Sequence, residues 1–390
     1  MTLIGLEVFL VLLPGLLFVY AYVAYPILLK LIGLTRPALP APGDPAEWPT
    51  ITVVVPAYNE EQAIRRTIES VLALEYPAHR RQILVLSDAS TDGTDEVVRS
   101  YANRGVELLR LPTRSGKTAA ENLALPRVRG EIVVNTDATI RILPESLKPL
   151  IRVFQDPNVG VASGRDISVG DITVEATGGE SGYVGYEMWV RALETRVGSI
   201  VGASGCFYAI RRHLHLIEVP PALSRDFASA LTAREHGLRA VSVEAALCLV
   251  PRTASLIREF RRKIRTMARG LATLWYKRGL LDPLRHGAFA WMLWSHKLIR
   301  WLVFLAAPLA LAGLVGLSLQ FVAARGLLLL AILGLGVGSV AMRAPEGRKL
   351  PKPVALCGFV LASHLAGAIA WKRFFRRELD AVWEPTRRPS

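Results

Sequence analysis

Cysteine is scarce in this chain. The 390 residues include three cysteines, Cys206, Cys248 and Cys357, and no two of them form a CxxC pair. This spacing excludes a disulfide framework and does not indicate a cysteine zinc site. We therefore expect the soluble part of the chain to lie in a reducing compartment, the cytosol.

Acidic residues are also in the minority. Asp and Glu number 33 against 47 Lys and Arg, which gives a formal net charge of +14, and 51% of the residues are hydrophobic. A soluble domain alone rarely has such a composition. The positive charge would suit nucleic acid or an anionic lipid surface. The hydrophobic segments favour the lipid surface, so no nucleic-acid partner is expected.

Four hydrophobic segments predict membrane spans. Residues 3–29 carry a single charge, Glu7, and are long enough to cross an apolar core of about 30 Å. The run is too long for a signal-peptide core, so we interpret it as a retained anchor. Lys30 and Arg36 follow it. By the positive-inside rule, they place the large central block, residues 50–284, in the cytoplasm. Three further apolar stretches lie at 298–319, 326–342 and 354–371.

The basic segments near these spans leave open the number of full crossings and the environment of residues 258–296. Three full crossings after a cytoplasmic domain would put the C-terminus outside, yet the loop 343–352 and the tail 372–388 are both basic. One segment is then re-entrant or interfacial. Residues 258–296 mix Arg and Lys with Leu and Trp, which is typical of helices in the headgroup plane. The alternative is a solvated basic helix.

The central block alternates strand and helix patterns. A continuous β-branched run at 51–55 indicates a buried strand, and the alternation implies a parallel sheet with right-handed crossovers. Strands are predicted at 51–55, 82–86, 106–109, 132–134, 159–164, 207–210 and 240–243. Helices are predicted at 60–74, 94–102, 117–125, 180–196 and 226–236.

Polar clusters follow three of these strands, at 56–60, 88–94 and 135–139. Ligands of open α/β sheets bind beyond the carboxyl ends of the strands, so the clusters predict one shared crevice. Asp88 and Asp92 are candidates to bind a base or ribose, or else they form an Asx turn. Asp137 is a candidate ligand for Mg²⁺ or Mn²⁺ against a diphosphate, or else a cap or loop carboxylate.

Three further features suit group transfer. The turn 114–117 ends in Lys117 at a helix start, which can attract phosphate, although an exposed basic loop has the same pattern. The small residues 202–206 would let a ligand approach the backbone closely. Asp226, about twenty residues later, could act as a general base on a hydroxyl, or it could cap a helix.

Taken together, these segments resemble a membrane-integrated bacterial family-2 glycosyltransferase of the GT-A fold, an α/β, Rossmann-like domain with a mostly parallel sheet. The resemblance rests on the order of nine segments: VVVPAYNE (53–60), SDASTDGT (87–94), GKTAAENLAL (116–125), NTDAT (135–139), YVGYEMWVRALETRVGS (183–199), GASGCFYAIRR (202–212), RDFASALTAREHGLRAV (225–241), EFRRKIRTMARG (259–270) and WEPTR (383–387).

The resemblance implies an enzyme that inverts the anomeric centre of a nucleotide-diphosphate sugar, with Mg²⁺ or Mn²⁺ as cofactor. Asp137 would bind the metal, and Asp226 would deprotonate the acceptor hydroxyl. The implied nucleotide-binding residues are Ala57, Tyr58, Glu60, Asp88, Lys117 and Arg265. The implied acceptor-binding residues are Gly202, Ala203, Ser204, Gly205, Glu187 and Arg191.

Two motifs depart from the family pattern. The metal motif reads Asp137-Ala138-Thr139, so its last carboxylate is missing, and water or a diphosphate oxygen would fill that position. The Gln-x-x-Arg-Trp motif of polymer synthases is matched by Arg262-Lys263-Ile264-Arg265-Thr266, without the tryptophan. This departure favours transfer of a single sugar over processive synthesis.

The sequence thus predicts a glycosyltransferase of the bacterial cytoplasmic membrane, of the hexosyl- or N-acetylhexosaminyl-transferring type. Its acceptor would be a glycan or a lipid-linked glycan, in exopolysaccharide or cell-surface glycan synthesis, and UDP is the commoner donor base in this group. The alternatives are a processive synthase that secretes its polymer and an inactive nucleotide-binding scaffold. The predicted division is an anchor (1–36), a linker (37–49), a GT-A domain (50–257), basic interfacial helices (258–297), a membrane bundle (298–372) and a basic tail (373–390).

Overall fold

A computed structural model describes residues 2–37, 42–169, 178–251, 256–345, 348, 350–379 and 381–382. The side chains of residues 178–183 and 256 are outside this description. The WEPTR motif at 383–387, half of the predicted basic tail and part of the predicted linker lie outside the described residues.

The described residues of the central block form an eight-stranded sheet in the order β3-β2-β1-β4-β7-β6-β8-β5. The strands are β1 (Ile51–Ala57), β2 (Arg81–Ser87), β3 (Val106–Arg110), β4 (Ile132–Thr136), β5 (Arg141–Ile142), β6 (Val159–Val169), β7 (Phe207–Arg211) and β8 (Arg239–Pro251). All seven predicted strands are confirmed. The short β5 was not predicted, because two residues carry no periodic signal.

The sheet is mostly parallel, as predicted. β1 pairs in parallel with β2 and β4, and β2 with β3. β7 is the exception among the predicted strands, because it runs antiparallel to both β4 and β6. The segment before β7 brings the chain to the carboxyl edge of the parallel strands, where Phe207 pairs with Thr136, so β7 must run back from that edge.

Two hydrophobic layers cover the two faces of the sheet. Every residue of β1 is buried, and successive side chains alternate between the layers: Val53 and Val55 pack into one, Val54 into the other. This alternation is the ordinary period of a strand. Burial on both faces explains why the strand reads as an uninterrupted apolar run.

The five helices predicted at 60–74, 94–102, 117–125, 180–196 and 226–236 are confirmed to within a few residues at each end, whereas Leu147–Arg152 and Arg212–His215 were not predicted. The α-helices of the described residues are numbered in chain order. They are α1 (Leu3–Val19), α2 (Tyr25–Leu34), α3 (Glu61–Leu72), α4 (Thr94–Arg99), α5 (Lys117–Ala124), α6 (Leu147–Arg152), α7 (Gly178–Val197), α8 (Arg212–His215), α9 (Arg225–Glu235), α10 (Leu256–Tyr276), α11 (Pro283–His286), α12 (Ala288–Leu293), α13 (Arg300–Gln320), α14 (Val322–Met342) and α15 (Lys352–Arg376).

Four helices of the described chain are long and apolar enough to cross a membrane: Leu3–Leu34, Ala288–Gln320, Val322–Met342 and Lys352–Arg376. They contain the four predicted spans. π-helical turns at Tyr20–Ala24 and Trp294–Ile299 join α1 to α2 and α12 to α13. The helix 288–320 therefore runs without a break through the predicted boundary at 297/298. Its first part packs against the central block through Phe289 and Met292.

The basic helix α10 departs from its predicted environment. Its pattern is amphipathic, as expected, but Leu271 packs with Ala370 and Trp371 of α15, and Leu274 is buried in another protein cluster. These leucines therefore face protein rather than lipid. Trp275, at 60% exposure, remains available to a membrane surface.

Candidate active site

The predicted polar clusters meet at the carboxyl edge of the parallel strands. Ala57, which ends β1, is buried, and its carbonyl accepts the backbone N–H of Asp88 (2.9 Å), which follows β2. The backbone N–H of Glu60 donates to the Thr94 hydroxyl (2.8 Å), which ties the first cluster to the second. The structure therefore brings the ends of β1 and β2 together, as the sequence predicts.

Asp88 is the buried anchor of the loop before α5. One carboxylate oxygen accepts the N–H of Ser115 (2.7 Å), and the other accepts that of Gly116 (2.8 Å). Both amides are thereby engaged within the protein, and phosphate binding at this turn stays a prediction. The visible role of Asp88 is to orient the start of α5, and with it Lys117.

Asp92 forms the turn that was the alternative to ligand binding. One of its oxygens accepts the N–H of Thr94 (3.0 Å), and the other accepts the N–H of Glu61 (3.1 Å). These bonds cap α4 and hold α3 against it.

At the mouth of the same edge, the guanidinium of Arg114 stacks over the ring of Tyr58, 3.9 Å from its centroid. This stacked pair is a planar surface on which a nucleobase can lie.

Lys117 connects the elements of the site. Its ammonium donates to Asp137 (2.5 Å), which follows β4, and to the carbonyl of Gly205 (3.3 Å). Burial alone would lower the pKa of Lys117, but Asp137, Glu121 and Asp226 together raise it above the ordinary value. Lys117 is therefore a permanent cation among three carboxylates.

Asp226 lies in the first turn of α9, opposite the loop of small residues. A Cβ added at Gly205 would stand 2.8 Å from a carboxylate oxygen of Asp226, so only glycine leaves room for this carboxylate. Asp226 is partly exposed. Asp137 and Asp226 thus face one cleft across Lys117, and Asp88 holds the loop that carries this lysine.

The rest of the small-residue loop is fixed by buried polar contacts. The N–H of Ser204 donates to the Ser163 hydroxyl (2.8 Å), and its own hydroxyl donates to Asp166 (2.7 Å). A Cβ at Gly202 would meet Phe227 at 3.2 Å. Ala203 is buried. The loop is therefore a rigid wall of the cleft, and Asp166 is a supporting residue that the sequence pattern did not single out.

Glu187 and Arg191 lie in a buried ionic network between α7 and the helix 288–320. The Glu187 carboxylate contacts His296 (2.9 Å), Arg300 (2.9 Å) and Arg191 (3.6 Å). Burial would raise the pKa of Glu187, but the cations around it hold that pKa well below its usual range. The contacts of these two residues are internal, and their acceptor role stays a prediction.

Arg265 is half-buried on α10. Arg269, one turn later, contacts the site, because its guanidinium donates to the Thr118 hydroxyl (2.9 Å) and to the Leu223 carbonyl. Burial lowers the pKa of Arg269, while Asp226 and Glu121 raise it. Arg269 was missed, although its i+4 spacing from Arg265 places it on the same helix face.

Glu121 and Arg225 form a buried ion pair beneath the cleft, and neither was predicted. Their side chains approach to 3.4 Å at 0% and 3% exposure. Burial raises the pKa of Glu121, against the opposing effect of Lys117 and Arg225. Glu121 follows Lys117 by one helical turn and Arg225 precedes Asp226, so this pair joins the two helices that carry the central site residues.

The donor atoms of the cleft suit a divalent cation that takes most of its ligands from substrate phosphates and water. The described residues contain no group of three or more His, Cys, Asp or Glu side chains that could enclose a metal. Asp137 offers a carboxylate at 23% exposure. Mg²⁺ and similar cations are commonly held by one or two carboxylates with substrate phosphates and water. Asp137 fits that arrangement, with diphosphate oxygens supplying the other ligands.

The sequence profile described as Glycosyl transferase family 2 matches residues 52–215. These residues form a family-2 glycosyltransferase domain. A mannosyltransferase from Pyrobaculum calidifontis, solved in complex with GDP-Man and Mn²⁺, has a similar fold with a TM-score of 0.74, covering 97% of this chain and 100% of that chain at 22% identity. The chain therefore shares the GT-A-like fold of that protein over nearly its whole length.

Two curated relatives match part of this chain. A beta-monoglucosyldiacylglycerol synthase from Nostoc sp. is 27% identical over 168 residues, which is 42% of this chain and 36% of the relative. A hyaluronan synthase from Streptococcus pyogenes is 29% identical over 153 residues, 37% of this chain and 36% of the relative. The matched region spans about a third of the length of these relatives.

Gly116 offers a test of how the loop before α5 is held. Its φ is +92°, and an added Cβ would collide with the backbone carbonyl of Ala381. We expect Gly116→Ala to lower the free energy of unfolding by about 1–3 kcal/mol from backbone strain and to weaken nucleotide binding as well, because the loop must move. Thermal unfolding and nucleotide titration measure both effects.

Gly105→Ala is the matched control for that variant. Gly105 has φ +80° and nothing within 4 Å of an added Cβ. It carries the same kind of strain without the collision, so its nucleotide affinity should equal that of the wild type. Equal losses of nucleotide affinity in both variants would refute the role assigned to the Gly116 contact.

Proposed function

We propose that the protein is an inverting, metal-dependent glycosyltransferase that moves a sugar from a nucleotide-diphosphate donor to a hydroxyl of a glycan or lipid-linked acceptor. The observation that supports this most is the position of Lys117, which contacts Asp137 and lies beside Asp226 in one cleft. A cation and two acidic groups with different neighbours suit a reaction in which a diphosphate leaves and a hydroxyl is deprotonated.

Each residue has a distinct task in this proposal. Asp226 accepts the proton of the acceptor hydroxyl, whose oxygen attacks the anomeric carbon from the side opposite the diphosphate. The bond to the diphosphate oxygen breaks, and Lys117 and Arg269 stabilise the negative charge that develops there. Asp137 would hold Mg²⁺ or Mn²⁺, which when bound neutralises diphosphate charge as a Lewis acid. Tyr58 and Arg114 would support the base.

The membrane helices support an acceptor that is presented at the bilayer. Tyr186 and Glu194 on α7 bond to Tyr22 and Tyr25 of the first membrane helix, so the catalytic block is packed directly on that helix. We propose that the block faces the cytoplasm of a bacterial cell and that the enzyme adds single sugars in exopolysaccharide or cell-surface glycan synthesis. An analysis of product length distinguishes this from processive synthesis, which would give polymers.

A donor panel tests the proposed activity. Detergent-purified protein is incubated with UDP-, GDP- and dTDP-sugars together with a membrane lipid extract as a source of acceptors, and release of the nucleoside diphosphate is measured with Mn²⁺, with Mg²⁺ and with chelator. We expect release from one donor class, loss of that release with chelator, and a nucleotide affinity in Asp137→Ala that no longer depends on Mn²⁺. Wild-type affinity that is the same with and without chelator would remove the metal from the proposal.

The panel also separates the alternatives. An inactive scaffold would bind a nucleotide but release no diphosphate from any donor, even when membrane lipid extracts are added as a source of acceptors. Release that requires such an extract would support a lipid-linked acceptor. Release without any acceptor would indicate hydrolysis and would contradict the transfer reaction.

A further inference from the structure

A cavity of about 440 Å³ lies at the edge of the sheet opposite the candidate active site. Asn158 and Arg239, which border it, stand at the start of β6 and β8, whereas Asp137 follows the end of β4. β6 and β8 run parallel to each other, in the same direction as β4, because β7 is antiparallel to both of its neighbours. The cavity is therefore separate from the proposed donor site.

The charge of this cavity is entirely basic. Arg36, Arg196, Arg234, Arg239 and His286 line it, and the described lining includes no Asp or Glu. Cations that share a cavity repel one another, and this repulsion is relieved when an anion is bound between them. The arrangement therefore favours a ligand with at least one strong negative charge.

Two of the arginines that line the cavity, Arg234 and Arg239, are partly exposed. Arg234 stacks over the ring of Phe289 (5.6 Å), which holds its guanidinium in place. Planar guanidinium groups match the oxygen geometry of phosphate. Phosphate is therefore the anion that these side chains suit best.

The surroundings of the cavity are those of a membrane interface. Arg36 follows the membrane helix Leu3–Leu34, and the cavity also includes Ala288, the first residue of the second membrane helix. The first helix has 32 residues, about 48 Å, which exceeds the roughly 30 Å apolar core, so its end can reach the headgroup layer. Leu34 (66% exposed) and Leu284 (96% exposed) offer apolar surface beside Arg36 and His286.

We propose that this cavity binds the phosphate-bearing headgroup of an anionic membrane lipid. The arginines contact the phosphate, and the acyl chains lie along the exposed leucines at the ends of the membrane helices. Basic pockets between membrane helices on one side of the bilayer bind such headgroups for the same electrostatic reason. The proposal does not depend on the glycosyltransferase reaction, because it uses neither the donor cleft nor Asp226.

The test titrates the full-length protein in neutral detergent with short-chain phosphatidylglycerol or with phosphatidylcholine of the same chain length, and counts bound lipids by native mass spectrometry. We expect the wild type to retain phosphatidylglycerol in preference to phosphatidylcholine. Arg234→Gln/Arg239→Gln should weaken phosphatidylglycerol binding by about tenfold or more, since each basic group near a lipid phosphate contributes several-fold in affinity. Phosphatidylcholine binding should not change.

The matched control is Arg66→Gln/Arg127→Gln, which removes the same charge from two exposed positions outside the cavity. It should bind lipid as the wild type does. Arg36→Gln, at an exposed position, replaces the double variant if that variant does not fold. It should weaken phosphatidylglycerol binding by a smaller factor. Equal binding of the two lipids, wild-type binding by both cavity variants, or inorganic phosphate binding as tightly as phosphatidylglycerol would overturn the proposal.

Discussion

Asp226→Asn should reduce sugar transfer by about three orders of magnitude, because a neutral amide cannot accept the proton of the acceptor hydroxyl. The change is nearly isosteric. It keeps the close packing against Gly205, where a Cβ added to the glycine would stand only 2.8 Å from a carboxylate oxygen of Asp226. We therefore expect the variant to fold normally and to bind the nucleotide diphosphate with nearly wild-type affinity. The measurement is kcat for diphosphate release, with nucleotide affinity measured separately.

The control for this variant is Asp44→Asn, at an exposed position whose carboxylate pairs with Arg152 on the surface. It makes the same chemical change away from the cleft and should leave kcat unchanged. Near-normal turnover by Asp226→Asn would reject Asp226 as the base. A loss of nucleotide affinity as large as the loss of turnover would instead mean that Asp226 holds the donor rather than the acceptor proton.

Arg225→Met should destabilise the fold by about 3–5 kcal/mol, because it leaves the buried Glu121 carboxylate without its partner. Arg225 also donates to the carbonyl of His215 (3.1 Å) and to Asn122, so the substitution removes several bonds at once. A loss of this size should lower the melting temperature by about 10 °C or more, at roughly 2–4 °C per kcal/mol. Thermal unfolding in detergent measures it.

The double variant Glu121→Leu/Arg225→Met separates the ion pair from the other contacts. Replacing both partners of a buried pair by apolar side chains is often close to neutral, so the double variant should melt well above Arg225→Met. Arg376→Met, which breaks a pair at 60% and 56% exposure, should change the melting temperature very little. Additive losses from the Glu121 and Arg225 substitutions would show that the charges are not coupled.

The sequence was sufficient to predict the elements that position the site. The strands 51–57, 81–87 and 132–136 are buried on both faces, so each reads as an apolar run followed by polar residues. That pattern is local, and it predicted that Asp88 and Asp137 would come to one edge of the sheet. For Asp226, the residues alone left a general base and a helix cap as alternatives, and only the family resemblance favoured the base.

Other features depend on tertiary contacts that no local pattern encodes. The partnership of Glu121 with Arg225 joins positions more than one hundred residues apart, and each alone is an ordinary charged residue on a helix. The antiparallel direction of β7 depends on the edge from which the chain enters the strand. Leu271 was expected to face lipid, yet α15 covers it, because periodicity identifies an apolar face without identifying its partner.

In the cleft around Lys117, the observed contacts of the turn 114–117 differ from the predicted ones. The turn 114–117 was predicted to attract phosphate through Lys117 at a helix start. In the structure, Asp88 binds the amides of Ser115 and Gly116. The cations of the cleft include Lys117, which belongs to this turn, and Arg269, which approaches from α10. Basic side chains that reach the cleft from two different helices cannot be predicted from the sequence of the turn alone.

The central claim is that Asp137, Lys117 and Asp226 surround the leaving diphosphate of a nucleotide sugar. An experimental map of the protein with its preferred nucleoside diphosphate and Mn²⁺, collected at a wavelength where manganese scatters anomalously, tests it most directly. We predict a manganese peak in contact with Asp137, diphosphate oxygens beside Lys117, and Asp226 facing the position of the sugar. A nucleotide bound at another edge of the sheet, with the Lys117–Asp137 pair undisturbed, would contradict the account.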